Sequence, residues 1–156
     1  MSQPLFKQKF RNALEKVGIT TLVNLQGEWN DDMWRDHYKK SDGRLTIFRI
    51  RIPDHKRATP EQLRSFIAIC DDARQRGTRV VAHCWRGHGR TSQMVAAYLV
   101  SRGVTADAAI AQAQALRTDA DRREKPSSEE VTMHPEQADA VRELAISFGG
   151  CEANNK

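Results

Sequence analysis

The sequence predicts an α/β fold, a mostly parallel central sheet flanked by helices. Short apolar and β-branched runs at Ile19–Leu25, Leu45–Ile52 and Val80–His83 read as strands, and stretches of helical periodicity alternate with them. The third run passes through a loop containing Gly87 and Gly89 directly into a helix, which places a binding site at the carboxyl end of that strand. A chain of 156 residues suits one domain with a real core. That domain is expected over residues 1–150, with residues 151–156 as a disordered polar tail.

Pro4–Val17 opens the chain as an amphipathic helix, with Phe6, Phe10, Ala13, Leu14 and Val17 at helical spacing and Gly18 at its end. Ile19–Leu25 follows as a buried strand. Gln26–Gly43 is polar and irregular, with a short helix expected from Asp31 to Tyr38. Trp29, Trp34, His37 and Tyr38 make this segment aromatic, and they either cap the sheet edge or form one wall of a cleft. Leu45–Ile52 mixes apolar residues with Arg49 and Arg51 and turns at Pro53.

Thr59, Pro60 and Gln62 stand as N-cap, first-turn proline and capping-box partner of the next helix. Leu63, Phe66, Ile67, Cys70 and Ala73 form its inward stripe, and Gly77 closes it. Val80–His83 reads as a buried strand. Thr91–Arg102 should be the central helix, with Met94, Val95, Tyr98 and Leu99 on one face and Gly103 at its end. Thr105 caps a shorter, alanine-rich helix through Leu116. Arg117–Thr132 is highly charged and reads as an exposed connection. Pro135–Phe148 is the last helix, with Ala138, Val141, Leu144, Ala145 and Phe148 inward.

Chemistry concentrates in Val80–Thr91. Loop N–H groups and a helix N-terminus point together at whatever occupies the bend, which makes an anion cradle. Cys84 at its start adds a nucleophile, and Arg90 at its end adds a bidentate clamp for phosphate. These surroundings favour the thiolate, so Cys84 should be unusually acidic. A structural cysteine before an ordinary helix would leave the paired glycines and the Cys-to-Arg spacing as coincidences.

His83-Cys84-x-x-Gly87-x-Gly89-Arg90-Thr91 resembles the H-C-x-x-G-x-G-R-[S/T] loop of the cysteine-dependent protein tyrosine phosphatase superfamily, most closely its compact dual-specificity branch. Leu22-Val23-Asn24-Leu25 is similar to that group's first core strand. Strands normally precede this point in those relatives, so the resemblance implies an abbreviated N-terminal edge. Ile52-Pro53-Asp54 resembles the family's acid loop, which implies Asp54 as general acid and then general base. Asp31, Asp32, Asp36 and Asp42 are competing acids. The resemblance further implies that Thr91 bonds the departing thiolate and that His83 fixes the loop and tunes Cys84. Some members carry a water-positioning glutamine near where Gln137 falls, and some protect the thiolate through a backdoor disulfide, for which Cys70 is the candidate.

The implied activity is phosphomonoester hydrolysis through a phosphocysteine, most plainly on phosphotyrosine proteins and with tolerance for phosphoserine and phosphothreonine. Trp85, Arg86 and His88 are the variable loop positions. With Gly87 and Gly89 they complete the expected substrate-binding set. Basic Arg86 and His88 also fit an inositol phosphate, a phosphoinositide or an RNA 5′-phosphate. A non-catalytic phosphate-binding module is the alternative from another class. A sulfur-transfer loop lacks the Arg-terminated spacing.

Composition agrees with an anionic partner, since the net charge is +5. A phosphorylated protein or other phosphomonoester is favoured over nucleic acid. No apolar run approaches membrane-spanning length, and no secretory segment opens the sequence. Cys70, Cys84 and Cys151 are too few and too scattered for a disulfide framework or zinc site. A cytoplasmic monomer without metal or other cofactor is therefore expected.

Overall fold

The most buried strand takes the middle of the sheet. In the computed structural model, β1 (Ile19–Gln26) pairs with β2 (Thr46–Ile52) on one side and β3 (Arg79–His83) on the other. Among the described residues the three strands are parallel, in the order β2-β1-β3. The structure describes residues 8–30, 32, 45–84, 89–124 and 133–149, with backbone alone over 8–11 and 117–124. β1 is buried from Thr21 to Gln26, which is why its sequence lacks polar alternation. The register sets Asn24 beside both Arg49 and His83, so the carboxyl ends of all three strands lie together.

β3 departs from the expected buried strand. Val80, Val81, Ala82 and His83 are only half-buried and Arg79 is exposed. It stands at one end of the sheet order, and its β-branched residues reflect strand propensity rather than two-sided cover.

The helices are α1 (Gln8–Lys16), α2 (Pro60–Gln75), α3 (Gly89–Ser101), α4 (Ala106–Glu124) and α5 (Pro135–Gly149). The capping box of α2 is formed: Gln62 N–H donates to Thr59 Oγ1 at 3.3 Å, and Thr59 N–H donates to Gln62 Oε1 at 2.8 Å. Gln62 Nε2 also donates to the Arg51 carbonyl at 2.6 Å, tying the start of α2 to β2. Leu63, Phe66 and Ile67 of α2 pack with Val23, Leu25, Ile50 and Ile52 of the sheet. Full burial of one such side chain contributes about 1.5–3 kcal/mol.

α3 sits between two cores. Met94 and Ala97 face the sheet core, whereas Ala96 and Val100 pack against Ala109, Ile110 and Ala113 of α4 and Val141 of α5. The expected single apolar face is thus incomplete. Small Ala96 and Ala97 are fully buried, while Val95, Tyr98 and Leu99 are only partly so. Neighbours on several sides leave room for small side chains at the closest approaches.

Other boundaries moved as well. α3 begins at Gly89 rather than Thr91, and α4 runs to Glu124 rather than stopping at Leu116. Arg117–Glu124 contains no Gly or Pro to stop it, so part of the expected connection is helical. In α1, Leu14 is buried but Ala13 is exposed, as is Val17 just past its end. Phe148, expected inward, is 41% exposed, because it lies in the last turn of α5 beyond the core residue Leu144. The expected helix at Asp31–Tyr38 lies outside the described residues apart from Asp32, as do residues 1–7 and the 151–156 tail.

Candidate active site

The carboxyl ends of the strands converge on Arg90. β3 ends at His83, buried Cys84 follows, and α3 starts at Gly89, so Arg90 lies in the first turn of that helix. Thr91 Oγ1 donates to Cys84 Sγ at 3.2 Å, which closes the strand-to-helix step around the sulfur. Trp85, Arg86, Gly87 and His88 lie outside the described residues. His83 is the last residue of β3, in register with Asn24.

Arg90 is 3% exposed, and both terminal nitrogens of its desolvated guanidinium are engaged with its neighbours. Nη1 donates to the Ile52 carbonyl at 3.0 Å and pairs with Glu28 Oε1 at 2.5 Å. Nη2 pairs with Asp54 Oδ1 at 2.9 Å. Asp54 is therefore brought to the clamp that the spacing singled out, although it is 36 positions away in the sequence. Both carboxylates are about half open to solvent, so a ligand can reach them.

Glu28 is a site residue that sequence reasoning missed. It follows Gly27, whose N–H donates to the Ile52 carbonyl at 3.1 Å. A Cβ at Gly27 would fall 2.7 Å from that oxygen, so only glycine lets the exits of β1 and β2 approach so closely. The Trp29 carbonyl next in line accepts from Arg49 Nη2 and, at 3.3 Å, from Arg51 Nη2. The arginines of β2 thereby anchor the turn that carries Glu28. The available signal was its place just past a central parallel strand, on the same side as the cysteine. Trp29 itself is half-buried; Trp34, His37 and Tyr38 lie outside the described residues.

Asp54 occupies a tight turn closed by Lys56 N–H donating to the Pro53 carbonyl at 3.1 Å. His55 has φ of 60°, a left-handed conformation that a non-glycine residue adopts at a cost of about 1–2 kcal/mol. External contacts hold it. His55 Nδ1 lies 2.9 Å from His134 Nε2, and the Lys56 carbonyl accepts from Gln137 Nε2 at 3.0 Å. Arg57 Nη1 donates to Glu143 Oε1 at 3.0 Å, and Ala58 N–H donates to Gln93 Oε1 at 3.1 Å. The hydrogen bond from Arg57 holds the Glu143 carboxyl below the usual carboxylate range.

Gln137 is fully buried, and both ends of its amide are engaged. Oε1 accepts from His134 N–H at 3.1 Å, capping α5, while Nε2 holds Lys56. A Cβ at Gly89 would fall 2.5 Å from that Oε1, so Gly89 also makes room for Gln137. Its observed contacts are those of a brace between α5, the Asp54 turn and the start of α3.

Cys70 is half-buried against the cluster that contains Cys84. Burial first, and Asp71 second, push its thiol up to about 12. A thiol so reluctant to ionise is a poor attacking partner for a backdoor disulfide. Cys151 lies outside the described residues. Among the described residues, no His, Cys, Asp and Glu cluster suits a metal ion, and no helix is long and apolar enough to cross a membrane.

A parallel sheet whose strand β3 leads into a cysteine and then a buried, carboxylate-paired arginine agrees with the cysteine-dependent phosphatase class that the loop resembles. Within it, residues 9–133 match the family described as DSP-PTPase phosphatase fused to NAD+ kinase, and the chain belongs to that family. It is accordingly a member of the dual-specificity and tyrosine phosphatase superfamily. A probable rhodanese domain-containing dual specificity protein phosphatase of Dictyostelium discoideum is 33% identical over 91 residues. That match spans 58% of this chain and 17% of the relative's length.

Solved structures agree in fold. Human DUSP28 superposes with a TM-score of 0.61 at 16% identity, over 90% of this chain and 86% of that one. Tk-PTP in its active form gives 0.61 at 22% identity, over 87% and 85%. PTPMT1 in complex with PI(5)P gives 0.62 at 14% identity, over 91% and 86%.

Proposed function

We propose that this site hydrolyses phosphomonoesters through a phosphocysteine on Cys84, acting chiefly on phosphotyrosine proteins and also on phosphoserine and phosphothreonine. The observation that carries this reading is the joint placement of Cys84, Thr91, Arg90 and Asp54 at one sheet end. The Cys84 thiolate attacks phosphorus while the bond to the leaving oxygen breaks. Asp54, as the carboxylic acid, gives that oxygen its proton. Its carboxylate then takes a proton from water, which attacks phosphorus and releases the sulfur. Thr91 donates to the departing Sγ from the position it already holds.

Arg90 binds the equatorial oxygens in its planar fork and stabilises their charge as the transition state forms. The phosphoryl group contends with Asp54 for Nη2, while Glu28 and the Ile52 carbonyl keep Nη1 oriented. Gly87, Gly89 and the variable Trp85, Arg86 and His88 complete the cradle in this reading, and His83 supports it from the end of β3. Trp29 beside Glu28 is the described aromatic side chain best suited to meet a phosphotyrosine ring. The thiolate must stay reduced, which suits a cytoplasmic setting.

A phosphate-release assay tests the substrate class. Its arms are phosphotyrosine peptide, phosphoserine peptide, phosphoinositide, inositol hexakisphosphate and 5′-triphosphate RNA. NADP+ joins them because the family description includes an NAD+ kinase. Phosphotyrosine peptide should give the highest kcat/KM. Faster release from any non-protein arm would replace the phosphoprotein assignment. Phosphopeptide binding without release from any arm would turn the reading into a phosphate-binding module.

A further inference from the structure

The turn bearing Asp54 is held from outside at successive positions. His55 meets His134, Lys56 meets Gln137, Arg57 meets Glu143 and Ala58 meets Gln93. His134 and Gln137 both belong to the amino end of α5, which caps itself through the bond from His134 N–H to Gln137 Oε1. His55 also holds a positive φ, which persists only where surroundings over-determine it.

We propose that the amino end of α5 is a latch that positions Asp54, that His134 is its key positioning residue, and that protonation of the His55–His134 pair opens it. This inference rests on reading Asp54 as the proton donor.

The two imidazoles lie edge to face with ring centroids 4.9 Å apart. His55 Nε2 is 3.5 Å from Asp54 Oδ2, a placement that favours the tautomer with its hydrogen on Nε2. His55 Nδ1 then accepts from His134 Nε2–H. One added proton leaves an N–H···N bond in place, because an imidazolium still donates to a neutral imidazole. A second puts hydrogens on both facing nitrogens, and the bridge is lost to repulsion. Imidazole is the side chain that changes charge nearest neutrality.

The charged groups around the pair are Asp54 and Lys56 on the turn and Glu136 in the first turn of α5. Arg57 is occupied by Glu143, and Asp54 is shared with Arg90. The remaining holds, through Gln137 and Gln93, do not titrate.

The test compares wild type with His134→Ala, His134→Asn and Asp54→Asn on p-nitrophenyl phosphate and on phenyl phosphate, a poorer leaving group, from about pH 5 to 8. His134 is exposed and caps α5 through its backbone N–H, so these variants keep the cap. At the alkaline end, His134→Ala should lower kcat on phenyl phosphate by about tenfold, with KM unchanged and a smaller effect on p-nitrophenyl phosphate. His134→Asn, whose amide can donate to His55 or accept from it, should keep the wild-type kcat. Towards acid pH the wild type should approach His134→Ala while His134→Asn does not. A wild-type to His134→Asn ratio that ignores pH overturns the proposal, as does an equal loss on both substrates.

Failure of the Asp54 reading shows separately, as an Asp54→Asn effect independent of leaving group. The latch is then judged by hydrogen exchange at the Lys56 and Ala58 amides. His134→Ala should speed it and His134→Asn should not; unchanged exchange overturns the latch.

Discussion

Cys84, Gly89, Arg90 and Thr91 lie within one strand-to-helix step, whereas the Asp54 turn is held from 35, 79 and 81 positions away, by Gln93, His134 and Gln137. In the first region chain continuity sets the geometry, and the sulfur and its hydrogen-bond donor come from the same short segment. In the second, a strained turn takes its shape from the packing of α3 and α5. The nucleophile side should therefore be sensitive mainly to its own residues. The acid side should respond to substitutions throughout the two helices that brace it.

The harshest trial of this contrast is Cys84→Ser, which should reduce phosphate release to background while leaving binding of an inorganic oxyanion intact by calorimetry. Residual turnover near wild type would remove the nucleophile from the local region. Asp54→Asn comes next: hydrolysis of poor leaving groups should slow by about 10²–10⁴-fold, and good leaving groups should be spared. A uniform loss on both would detach Asp54 from proton transfer.

Gly89→Ala joins the two regions. Its methyl collides with the buried Gln137 amide, whose two ends are already bonded, so the side chain cannot swing aside freely. Overpacking of this kind costs about 1–3 kcal/mol, measurable by denaturant unfolding. The variant should also show the leaving-group dependence of a displaced Asp54. A stable Gly89→Ala protein with an unaltered acid step would show that the regions are independent.

The smallest effect concerns Cys70. Its thiol is raised to about 12 in the fold, whereas a thiol in the unfolded chain ionises near 9.0. Between these values the folded chain keeps a proton that the unfolded chain loses, so stability falls as pH rises through that window. Melting temperatures of wild type and Cys70→Ala should therefore converge with rising alkalinity. Recovery of activity after peroxide treatment should be the same for both, since so protonated a thiol attacks poorly.

Much of the molecule was readable in advance because local chemistry specifies it. β1 and β2 appear where apolar runs occur, and Thr59, Pro60 and Gln62 form the cap their side chains dictate. Cys84 and Thr91 meet because a short segment leaves them little choice. The misread features depend on neighbours. Val80–His83 looks buried by composition, but at one end of the described sheet it is left half open. Arg117–Glu124 looks like a charged loop, yet Arg, Ala and Glu are good helix formers and no Gly or Pro there breaks the helix. Glu28 carried no motif at all; its value comes from lying within 2.5 Å of Arg90.

The residue types and short spacings in the sequence were enough to determine a parallel α/β chain whose cysteine and arginine share one strand-to-helix step, since both can be written into one segment. Tertiary structure alone decided that Arg90 is shared between Glu28 and Asp54, and that Gln137 and His134 brace the turn bearing Asp54. Such contacts join strand ends and helices far apart along the chain. Their positions follow from how the two cores pack on α3, which no local pattern records.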